Sequence, residues 1–525
     1  YGVPFAIKDN IDLAGTPTTA ACPAFSYVPG RSAFVVERLM AAGAVPIGKT
    51  NMDQFATGLT GTRTPYGACA SVADPRYVAG GSSSGSAVVV ADGTVPFALG
   101  TDTAGSGRVP AAMNAIVGLK PSLGRLSTSG VVPACRSLDC VSLLTADVAD
   151  GARVLDVAAG PDPGDPYSRV PPPSAAAERL AWGTAGARLA VPRPCQMEFF
   201  GDAAAAGAWE RACTRAAALG WSLVEIDFAP FAEAARLLYD GPWLAERYAA
   251  VGAFVAARPD AVDPTVRQVI MAGRDIGAVA AFEGAQRLAE LRGATRAVWA
   301  SADALLLPTA PTLFTAAEIA EEPIVRNAQL GTYTNFVNLL DLCAVAVPAG
   351  AREDGLPFGV SFVAPAGADR ALLTLAGRWR DEQPGEAGGA TQDTVALAVV
   401  GAHLSGEPLN GQLTGLGARL LETTRTAATY RLFELPGSVP AKPGLVGGRT
   451  RAGDGIEVEI WELATAAFGR LVASVPPPLA IGTIELADGR TVKGYLCEAD
   501  AVADAREITA HGGWRAFRAS AGGIR

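Results

Sequence analysis

Histidine is almost absent from this chain of 525 residues, which contains only His403 and His511. Both lie in the last quarter of the sequence, so an enzyme site built elsewhere in the chain needs a base other than histidine. The eight cysteines are scattered and form no CxxC pair, which argues against a zinc site and a dense disulfide framework. This cysteine pattern indicates a reducing cytoplasm.

Long apolar runs and basic tracts are missing too. Glycine, proline or a charged residue interrupts every apolar run before the roughly 20 residues that a membrane-spanning helix needs. The 43 Lys and Arg residues are outnumbered by 52 Asp and Glu residues, which gives a net charge of -9. No basic run is interleaved with aromatic residues, so we expect neither a membrane nor a nucleic acid as a partner. The chain begins at Tyr1 without Met or a charged and apolar leader, so we expect it to be a trimmed or partly ordered product.

What the sequence does contain is enough apolar residues, 49%, to bury the cores of more than one domain. In residues 1–380, short apolar runs such as 44–47 and 305–307 alternate with Ala-rich stretches such as 202–219 and 278–300. Alternation of strand-like and helix-like segments is typical of an α/β domain. We therefore predict a mixed central sheet covered by helices.

A polar, Gly-rich stretch at residues 381–393 is predicted to be a linker, and a second domain is predicted to begin after it. Residues 394–525 then carry strand-like segments separated by Gly and Pro turns, at 430–435, 456–461 and 491–497. This pattern predicts a small α+β or β-rich domain.

Three short elements of the first domain carry its candidate chemistry. They are Lys8 in the segment GVPFAIKDN, the block GGSSSGS at residues 80–86 and the block GTDTAGSGR at residues 100–108. Taken alone, a lysine after an apolar run is usually a solvated strand end, and a Gly/Ser block is usually a flexible linker. The block at 80–86, however, runs directly into apolar residues up to Val90, which predicts a tight turn that leads into a buried element.

Gly-rich turns before a helix expose backbone N–H groups, which an acyl-transfer enzyme needs in order to bind a developing oxyanion. A serine nucleophile also needs a base. Lysine can act as that base when burial lowers its pKa enough to leave the amine neutral near pH 7. Lys8 follows the apolar residues 4–7 and is placed for this role, with an intermediate serine hydroxyl as the bridge to a distant nucleophile.

At these residues the sequence closely resembles the amidase signature family. The family pattern consists of a Lys after GVP, a GGSS block and a GTDxGGS block, and all three occur here in that order. The resemblance implies that Lys8 is the base, that Ser82 is the bridging serine and that Ser106 is the acylated nucleophile. It also implies a cis peptide bond on the N-terminal side of Ser82. The family separates bridge and nucleophile by 24 residues, as the sequence does here.

The last block departs from the family pattern at one position, because Ala104 stands where many relatives have Gly. A methyl group there narrows the loop slightly and leaves the N–H donors in place. The resemblance implies a structural role for Asp102 and Arg108. It also implies an oxyanion hole formed by the main-chain N–H groups of Thr103, Ala104, Gly105 and Ser106.

An alternative for the serine block is the nucleophile elbow of α/β-hydrolases. Residues 81–85 satisfy the pattern GxSxG with Ser83 at the centre. That mechanism needs a histidine, which would have to come from the second domain. It also leaves Lys8 and the Ser106 block unexplained.

Substrate choice must come from outside the catalytic motif, because the motif sets only the reaction class. Residues 237–248, LLYDGPWLAERY, are dense in aromatic residues. Their composition alone favours an amphipathic helix that packs Trp243 on the core and leaves Arg247 in solvent. The segment nevertheless resembles the YxGPWxAERY stretch of allophanate hydrolases, a subfamily of the amidases, and residues 330–341 and 347–350 also follow that subfamily's pattern.

The resemblance to allophanate hydrolases covers nearly the whole chain. It implies that Tyr239 and Arg247 bind the substrate carboxylate, a planar anion that suits a guanidinium group. The implied reaction is hydrolysis of allophanate at its terminal amide through an acyl-Ser106 intermediate, the last step of ATP-dependent urea breakdown. No metal or organic cofactor is implied. We expect a homodimer and a functional link to a biotin-dependent urea carboxylase.

The second domain resembles the allophanate hydrolase C-terminal domain, which is related in fold to γ-glutamylcyclotransferases. This resemblance implies that His403, at the end of a strand and beside a Gly-rich turn, helps to decarboxylate the N-carboxycarbamate released by the first domain. Its predicted neighbours are Asn410, Gln412 and Glu462, whereas His511 is expected to be structural. In the alternative, this domain mediates dimerisation or docking to a partner enzyme and does no chemistry.

An enzyme of urea metabolism is thus the first hypothesis for the whole chain. The alternatives are an amidase of broad specificity, the amidase component of a tRNA-dependent amidotransferase, and a non-catalytic scaffold with a degenerate site. The intact Lys8, Ser82 and Ser106 weigh against the scaffold. The amidotransferase hypothesis predicts tight association with a partner and activity on glutamine.

Overall fold

The computed structural model describes residues 2–171, 179–180, 184, 186–381, 394–414, 416, 418–437, 440–448 and 450–521. The chain divides into two compact units, Tyr1–Pro384 and Gly385–Arg525. The predicted linker at 381–393 lies outside the described residues, except for Asp381. Within the described ranges, no helix is long and apolar enough to cross a membrane.

A sheet of ten strands forms the centre of the first unit. The strands are β1 (Pro4–Lys8), β2 (Val45–Thr50), β3 (Phe97–Asp102), β4 (Val117–Lys120), β5 (Cys140–Thr145), β6 (Arg188–Pro192), β7 (Ser222–Ile226), β8 (Ala304–Pro308), β9 (Leu342–Ala351) and β10 (Pro357–Pro365). Their order across the sheet is β2-β1-β3-β5-β4-β9-β10-β8-β6-β7. Strand β1 is parallel to β2 and β3, whereas β3 and β5 are antiparallel, so the predicted mixed sheet is confirmed.

Helices pack on both faces of this sheet. They are α1 (Phe34–Ala41), α2 (Ser84–Ala91), α3 (Arg108–Met113), α4 (Val148–Ala158), α5 (Ala203–Ala218), α6 (Ala229–Asp240), α7 (Trp243–Ala257), α8 (Pro264–Met271), α9 (Ala278–Thr295), α10 (Val298–Ser301), α11 (Ala316–Glu321), α12 (Val325–Leu330), α13 (Phe336–Leu339) and α14 (Asp369–Asp381). Short 3-10 turns lie at Pro23–Phe25, Gln54–Ala56, Pro194–Gln196 and Pro259–Ala261. The helix predicted at 202–219 is α5, whereas the one predicted at 278–300 is divided into α9 and α10.

The alternation of side chains along β8 explains the apolar run at 305–307. Ala304 and Leu306 belong to the core that includes α1, α4, α5 and α14. Leu305 and Leu307 belong to the core that includes α6, α9 and α13. Because successive side chains of a strand point to opposite faces, a strand covered by helices on both sides is apolar at every position.

The second unit is built mostly from strands. These are β11 (Thr394–Val399), β12 (Arg419–Arg425), β13 (Tyr430–Glu434), β14 (Pro443–Gly447), β15 (Glu457–Ala464), β16 (Leu479–Glu485), β17 (Thr491–Cys497) and β18 (Arg506–Glu507). They form a five-stranded sheet in the order β12-β15-β11-β17-β16 and a three-stranded sheet in the order β14-β13-β18. Helices α15 (Asn410–Thr414), α16 (Thr465–Ala473) and α17 (Trp514–Ala521) and 3-10 turns at Ala499–Val502 and Thr509–His511 complete the unit. The strands predicted near 430, 456 and 491 are confirmed as β13, β15 and β17.

Candidate active site

Lys8 is the last residue of β1, and it is fully buried rather than solvated. Its strand lies between β2 and β3 in the central sheet. The Nζ atom donates hydrogen bonds of 2.7 Å to Ser82 Oγ and 2.7 Å to Thr101 Oγ1. The structure therefore joins the predicted base to the predicted bridging serine, and adds a second hydroxyl partner.

The environment of Lys8 favours the neutral amine. Burial lowers its pKa to about 7, although the negative charges of Asp53, Asp102 and Asp139 act in the opposite direction. Its two hydrogen-bond partners are uncharged hydroxyl groups, so neither fixes a positive charge on the nitrogen. An amine with this pKa can accept a proton at neutral pH.

The Gly/Ser block forms a tight turn that leads directly into the buried helix α2, as predicted. The Gly81–Ser82 peptide bond is cis, which was also predicted. Gly81 leaves no room for a side chain, because a Cβ atom there would lie 2.1 Å from Asp53 Oδ2. The N–H of Ser83 donates to Ser106 O at 3.1 Å and thus ties this turn to the nucleophile loop.

The nucleophile loop runs from the end of β3 to the start of α3 and is organised by a buried ion pair. The Asp102 carboxylate accepts hydrogen bonds from Arg108 Nε at 2.9 Å and Nη2 at 2.8 Å, and both side chains are fully buried. Burial alone would raise the pKa of Asp102, but Arg108 and the backbone N–H of Gly107 keep it below its usual value. The structural role expected for Asp102 and Arg108 matches this geometry.

The backbone N–H groups of the loop fall into two sets. Gly105 N donates to Asp102 Oδ1 at 2.8 Å, so this amide is directed at the carboxylate and differs from the expectation that it binds substrate. The amides of Thr103, Ala104 and Ser106 donate to no acceptor in the described part of the chain. These three remain available to an oxyanion.

Side-chain contacts fix the same loop from two sides. Thr103 Oγ1 donates to Asp139 Oδ1 at 2.5 Å. Gly105 has a φ of +129°, and a Cβ atom there would lie 2.4 Å from Thr334 Oγ1. A glycine is therefore required at position 105, whereas no such restriction applies to Ala104, whose φ is not positive.

Arg247 is buried, with 2% of its surface exposed, so the interpretation from composition alone, which placed it in solvent, is wrong. The segment 237–248 is not one helix, because α6 ends at Asp240 and α7 begins at Trp243, after Gly241. Arg247 Nη1 donates to Thr57 Oγ1 at 2.9 Å, and its Cζ atom lies 5.8 Å from the centre of the half-buried Tyr239 ring. Arg247 forms no ion pair with any carboxylate of the described residues.

The neighbouring Glu246 binds the loop 134–139, which in turn contacts Thr103. Its carboxylate accepts hydrogen bonds of 2.7 Å from both Ser137 N and Ser137 Oγ. Two residues further on, Asp139 accepts from Ala134 N and from Thr103 Oγ1. The helix that carries Arg247 is thus connected to the nucleophile loop through residues 134–139.

In the second unit, His403 lies on a cavity of about 320 Å³ that Gln412, Lys442 and Tyr495 also line. Its Nε2 atom is 2.9 Å from Gln412 Oε1, and its ring stacks on Tyr495 with the centroids 4.9 Å apart. Burial lowers the pKa of His403, against the opposing effect of the Gln412 hydrogen bond, and the positive charge of Lys442 adds to the lowering. This shift favours the neutral imidazole. Asn410 Nδ2 donates to the backbone carbonyl of His403 at 2.9 Å.

The other polar residues predicted in the second unit take different positions. Glu462 forms an ion pair with Arg419 at 3.0 Å on the neighbouring strand. His511 is exposed and packs edge-on against Phe517 at 5.3 Å, with Ser520 Oγ 3.4 Å from its Nδ1 atom. Among the described residues, no group of three or more His, Cys, Asp or Glu side chains is arranged to hold a metal ion.

Comparison with known families now decides between the alternatives for the first unit. A family model described as Amidase matches residues 1–373, and a model described as Allophanate hydrolase C-terminal domain matches residues 395–519. The chain belongs to the amidase family. It is an amidase-family hydrolase, and this family decides against the α/β-hydrolase elbow. Ser83 Oγ, the centre of that elbow, donates to Thr101 O at 3.1 Å.

Relatives cover different shares of this amidase. The structure of allophanate hydrolase from Kluyveromyces lactis has 41% identity and a TM-score of 0.69, and the match covers 99% of this chain and 89% of that one. Urea amidolyase from Saccharomyces cerevisiae is 43% identical over 98% of this chain, which spans only 29% of that relative. One component of the glutamyl-tRNA(Gln) amidotransferase from Symbiobacterium thermophilum is 38% identical over 71% of this chain and 81% of the relative.

Sequence reasoning missed several residues of the amidase site. Thr101, Asp139 and Thr57 contact Lys8, Thr103 and Arg247 respectively. Thr101 could have been inferred, since it precedes Asp102 within the GTD motif and lies on the same strand. Asp139 and Thr57 stand outside the three motifs, and no local pattern marks them.

Proposed function

We propose that this chain hydrolyses allophanate at its terminal amide through an acyl-Ser106 intermediate, and thereby releases ammonia. The observation that carries the reaction class is the buried hydrogen bond of 2.7 Å between Lys8 Nζ and Ser82 Oγ. Support for the substrate comes from similarity to allophanate hydrolase over 99% of the chain. In this proposal Lys8, Ser82 and Ser106 are the catalytic residues.

The same proton path serves the formation and the hydrolysis of the acyl-Ser106 intermediate. Ser106 Oγ attacks the carbonyl carbon of the terminal amide, its proton passes to Ser82 Oγ, and the proton of Ser82 passes to the neutral amine of Lys8. The return of a proton along this path to the leaving nitrogen allows the C–N bond to break and ammonia to depart. Water then attacks the acyl group with the same base, which releases N-carboxycarbamate and frees Ser106.

Negative charge that develops on the carbonyl oxygen needs donors that are already in place. The N–H groups of Thr103, Ala104 and Ser106 are the candidates, since they have no acceptor among the described residues. The N–H of Gly105 instead holds Asp102 and thereby fixes the loop. Loss of one such donor typically lowers kcat by about 10²–10³.

Arg247 is the proposed binding group for the substrate carboxylate, with Tyr239 beside it. A buried cation without an anionic partner is costly, and a carboxylate ligand would offset that cost. Among the described residues, the guanidinium donates to the neutral Thr57 hydroxyl and lies over the face of the Tyr239 ring, and the nearby Asp139 carboxylate forms no ion pair with it. This arrangement favours an amide that carries a carboxylate over an uncharged amide.

The second unit is proposed to decarboxylate N-carboxycarbamate with the help of His403, and to have a fold related to the γ-glutamylcyclotransferases. Support comes from the match of residues 395–519 to the allophanate hydrolase C-terminal domain and from the neutral imidazole that lines a cavity. Gln412 and Asn410 would hold the imidazole and its backbone. A purely architectural role is the alternative.

The partners and the location are part of the same proposal. We propose a cytoplasmic homodimer that consumes the product of a biotin-dependent urea carboxylase. All eight cysteines are free thiols, which suits a reducing compartment. The similarity to urea amidolyase of Saccharomyces cerevisiae supports a place in urea breakdown.

The amidase component of an amidotransferase is the second candidate, because the first unit is 38% identical to part of such an enzyme from Symbiobacterium thermophilum. Purified protein assayed on allophanate, malonamate and glutamine separates the two functions. Ammonia release from allophanate and malonamate is the expected result, with Ser106→Ala as the background. Turnover of glutamine without turnover of allophanate would overturn the proposal.

Substitution of Arg247 tests the substrate class. Arg247→Ala is expected to lower kcat/KM for malonamate by about 10²-fold or more, because the carboxylate then lacks its charged partner. Propionamide, an uncharged amide of similar size, should lose far less. Equal losses on the two substrates would remove Arg247 from the proposed binding site.

A further inference from the structure

One loop contacts both the carboxylate-binding group and the nucleophile. Within the loop 53–63, Thr57 Oγ1 accepts a hydrogen bond of 2.9 Å from Arg247 Nη1. The next residue, Gly58, accepts a longer contact of 3.4 Å from Ser106 Oγ through its backbone carbonyl. Two consecutive residues thus face the two groups that would hold the two ends of an anionic amide.

This loop is fixed at several points. Asp53 accepts hydrogen bonds from Gly61 N at 3.0 Å and from Arg63 N at 2.9 Å, which closes the loop on itself. A Cβ atom at Gly58 would lie 2.7 Å from Asp53 Oδ2, so the backbone there packs directly on that carboxylate. Leu59 N donates to Asn327 Oδ1 at 2.7 Å, which anchors the loop to α12.

Thr57 is equally constrained. It is 1% exposed, and its hydroxyl donates to Phe55 O at 3.2 Å while it accepts from Arg247. The hydroxyl hydrogen is therefore occupied, and its lone pairs point to the guanidinium. Because Thr57 and Gly58 are consecutive, this constrained stretch of backbone links the position of Arg247 to that of Ser106.

We propose that Thr57 is a positioning residue that fixes Arg247 relative to Ser106 and so sets the length of the anionic amide that the enzyme accepts. This inference rests on the proposed function, in which Arg247 binds the substrate carboxylate. Under this proposal, the preferred substrates have a single atom between the carboxylate carbon and the scissile carbonyl carbon. Allophanate and malonamate have this spacing, whereas succinamate is one methylene longer.

The test compares malonamate with succinamate in two variants of Thr57. Thr57→Val removes the hydroxyl and keeps the branched shape, and Thr57→Ser keeps the hydroxyl. We expect Thr57→Val to lower kcat/KM for malonamate about tenfold, mainly through KM, since it removes a hydrogen bond to a charged group. The preference for malonamate over succinamate should fall with it. Thr57→Ser should retain most of both quantities.

Thr62→Val is the matched control, because Thr62 lies in the same loop and its hydroxyl contacts Thr60 rather than Arg247. It should leave the malonamate preference unchanged. Thermal unfolding of each variant checks that the fold persists, and Thr57→Ala repeats the test if Thr57→Val does not fold. An unchanged malonamate to succinamate ratio in a folded Thr57→Val or Thr57→Ala variant would overturn the inference.

The two proposals fail in different ways. If Arg247→Ala abolishes the preference for malonamate over propionamide while the Thr57 variants do nothing, only the role of Thr57 is refuted. If Arg247→Ala leaves that preference intact, the proposed binding site itself is refuted. Loss of the malonamate preference in Thr57→Val with retention in Thr57→Ser supports both.

Discussion

At the scale of single residues, the site depends on an amine that burial keeps close to neutrality. Lys8 is enclosed by its own sheet and contacts two hydroxyl groups, while its nearest counter-charges are held by other partners. Asp102, for example, forms an ion pair with Arg108. A serine nucleophile can therefore be deprotonated without histidine, which the first unit lacks entirely.

Activity is expected to rise with pH through an apparent pKa near 7. Below this value Lys8 is protonated and cannot accept the proton of Ser82, and above it the amine is free. The measurement is kcat/KM for malonamate between about pH 5 and pH 9. Lys8→Met should lower kcat by about 10²–10⁴ at every pH in this range.

Lys49 provides the control for this pH dependence. It lies near the end of the adjacent strand β2, burial also lowers its pKa, and it donates to Ile11 O and Thr18 Oγ1 rather than to a serine of the site. Lys49→Met should leave the midpoint of the profile unchanged. A flat profile in the wild-type enzyme, or a midpoint that moves with Lys49, would contradict the role given to Lys8.

At the scale of elements, the local sequence pattern predicted individual strands and helices, whereas long-range contacts determine how the side chains of the site are arranged. Strand β17 and helix α5 were predicted almost to the residue, because periodicity and capping are local properties. The burial of Arg247 was not predicted from composition. It depends on the break at Gly241 and on Thr57, which lies 190 residues away in the sequence. Lys8 and Ser82 were paired correctly only because the family pattern carries the long-range information that composition lacks.

The nucleophile loop offers a test of how backbone geometry supports catalysis. Gly105→Ala is expected to lower kcat by about 10² or more, because the added methyl group collides with Thr334 and requires an unfavourable positive φ, which displaces the donors on either side. Ala104→Gly, one residue away, should change kcat less than about threefold, since position 104 has no such restriction. Steady-state kinetics on malonamate, together with thermal unfolding, measures both.

Equal effects of Gly105→Ala and Ala104→Gly would mean that any change in the loop is harmful, and the specific role of the Gly105 conformation would be lost. A larger effect at position 104 would point to the methyl group of Ala104 as a substrate contact.

At the scale of the whole molecule, two units with separate cores carry separate candidate sites. The first holds the Lys8–Ser82 pair, and the second holds His403 on its own cavity. Hydrolysis at the terminal amide of allophanate gives N-carboxycarbamate. The loss of carbon dioxide from this product is a different reaction from amide cleavage. If each unit catalyses one of these steps, mutations in one unit should slow ammonia release or carbon dioxide release separately.

His403→Ala is expected to separate them. The first ammonia should appear at the wild-type rate, because Lys8, Ser82 and Ser106 are unchanged, while release of carbon dioxide slows by about 10²-fold, the low end of what acid–base catalysis supplies. Isotope-labelled allophanate followed by NMR would detect N-carboxycarbamate as it accumulates. His511→Ala is the matched control, since this exposed histidine packs on Phe517 and should affect neither step. If His403→Ala changes neither step, the second unit is architectural, and if both steps slow together, His403 supports the fold rather than the decarboxylation.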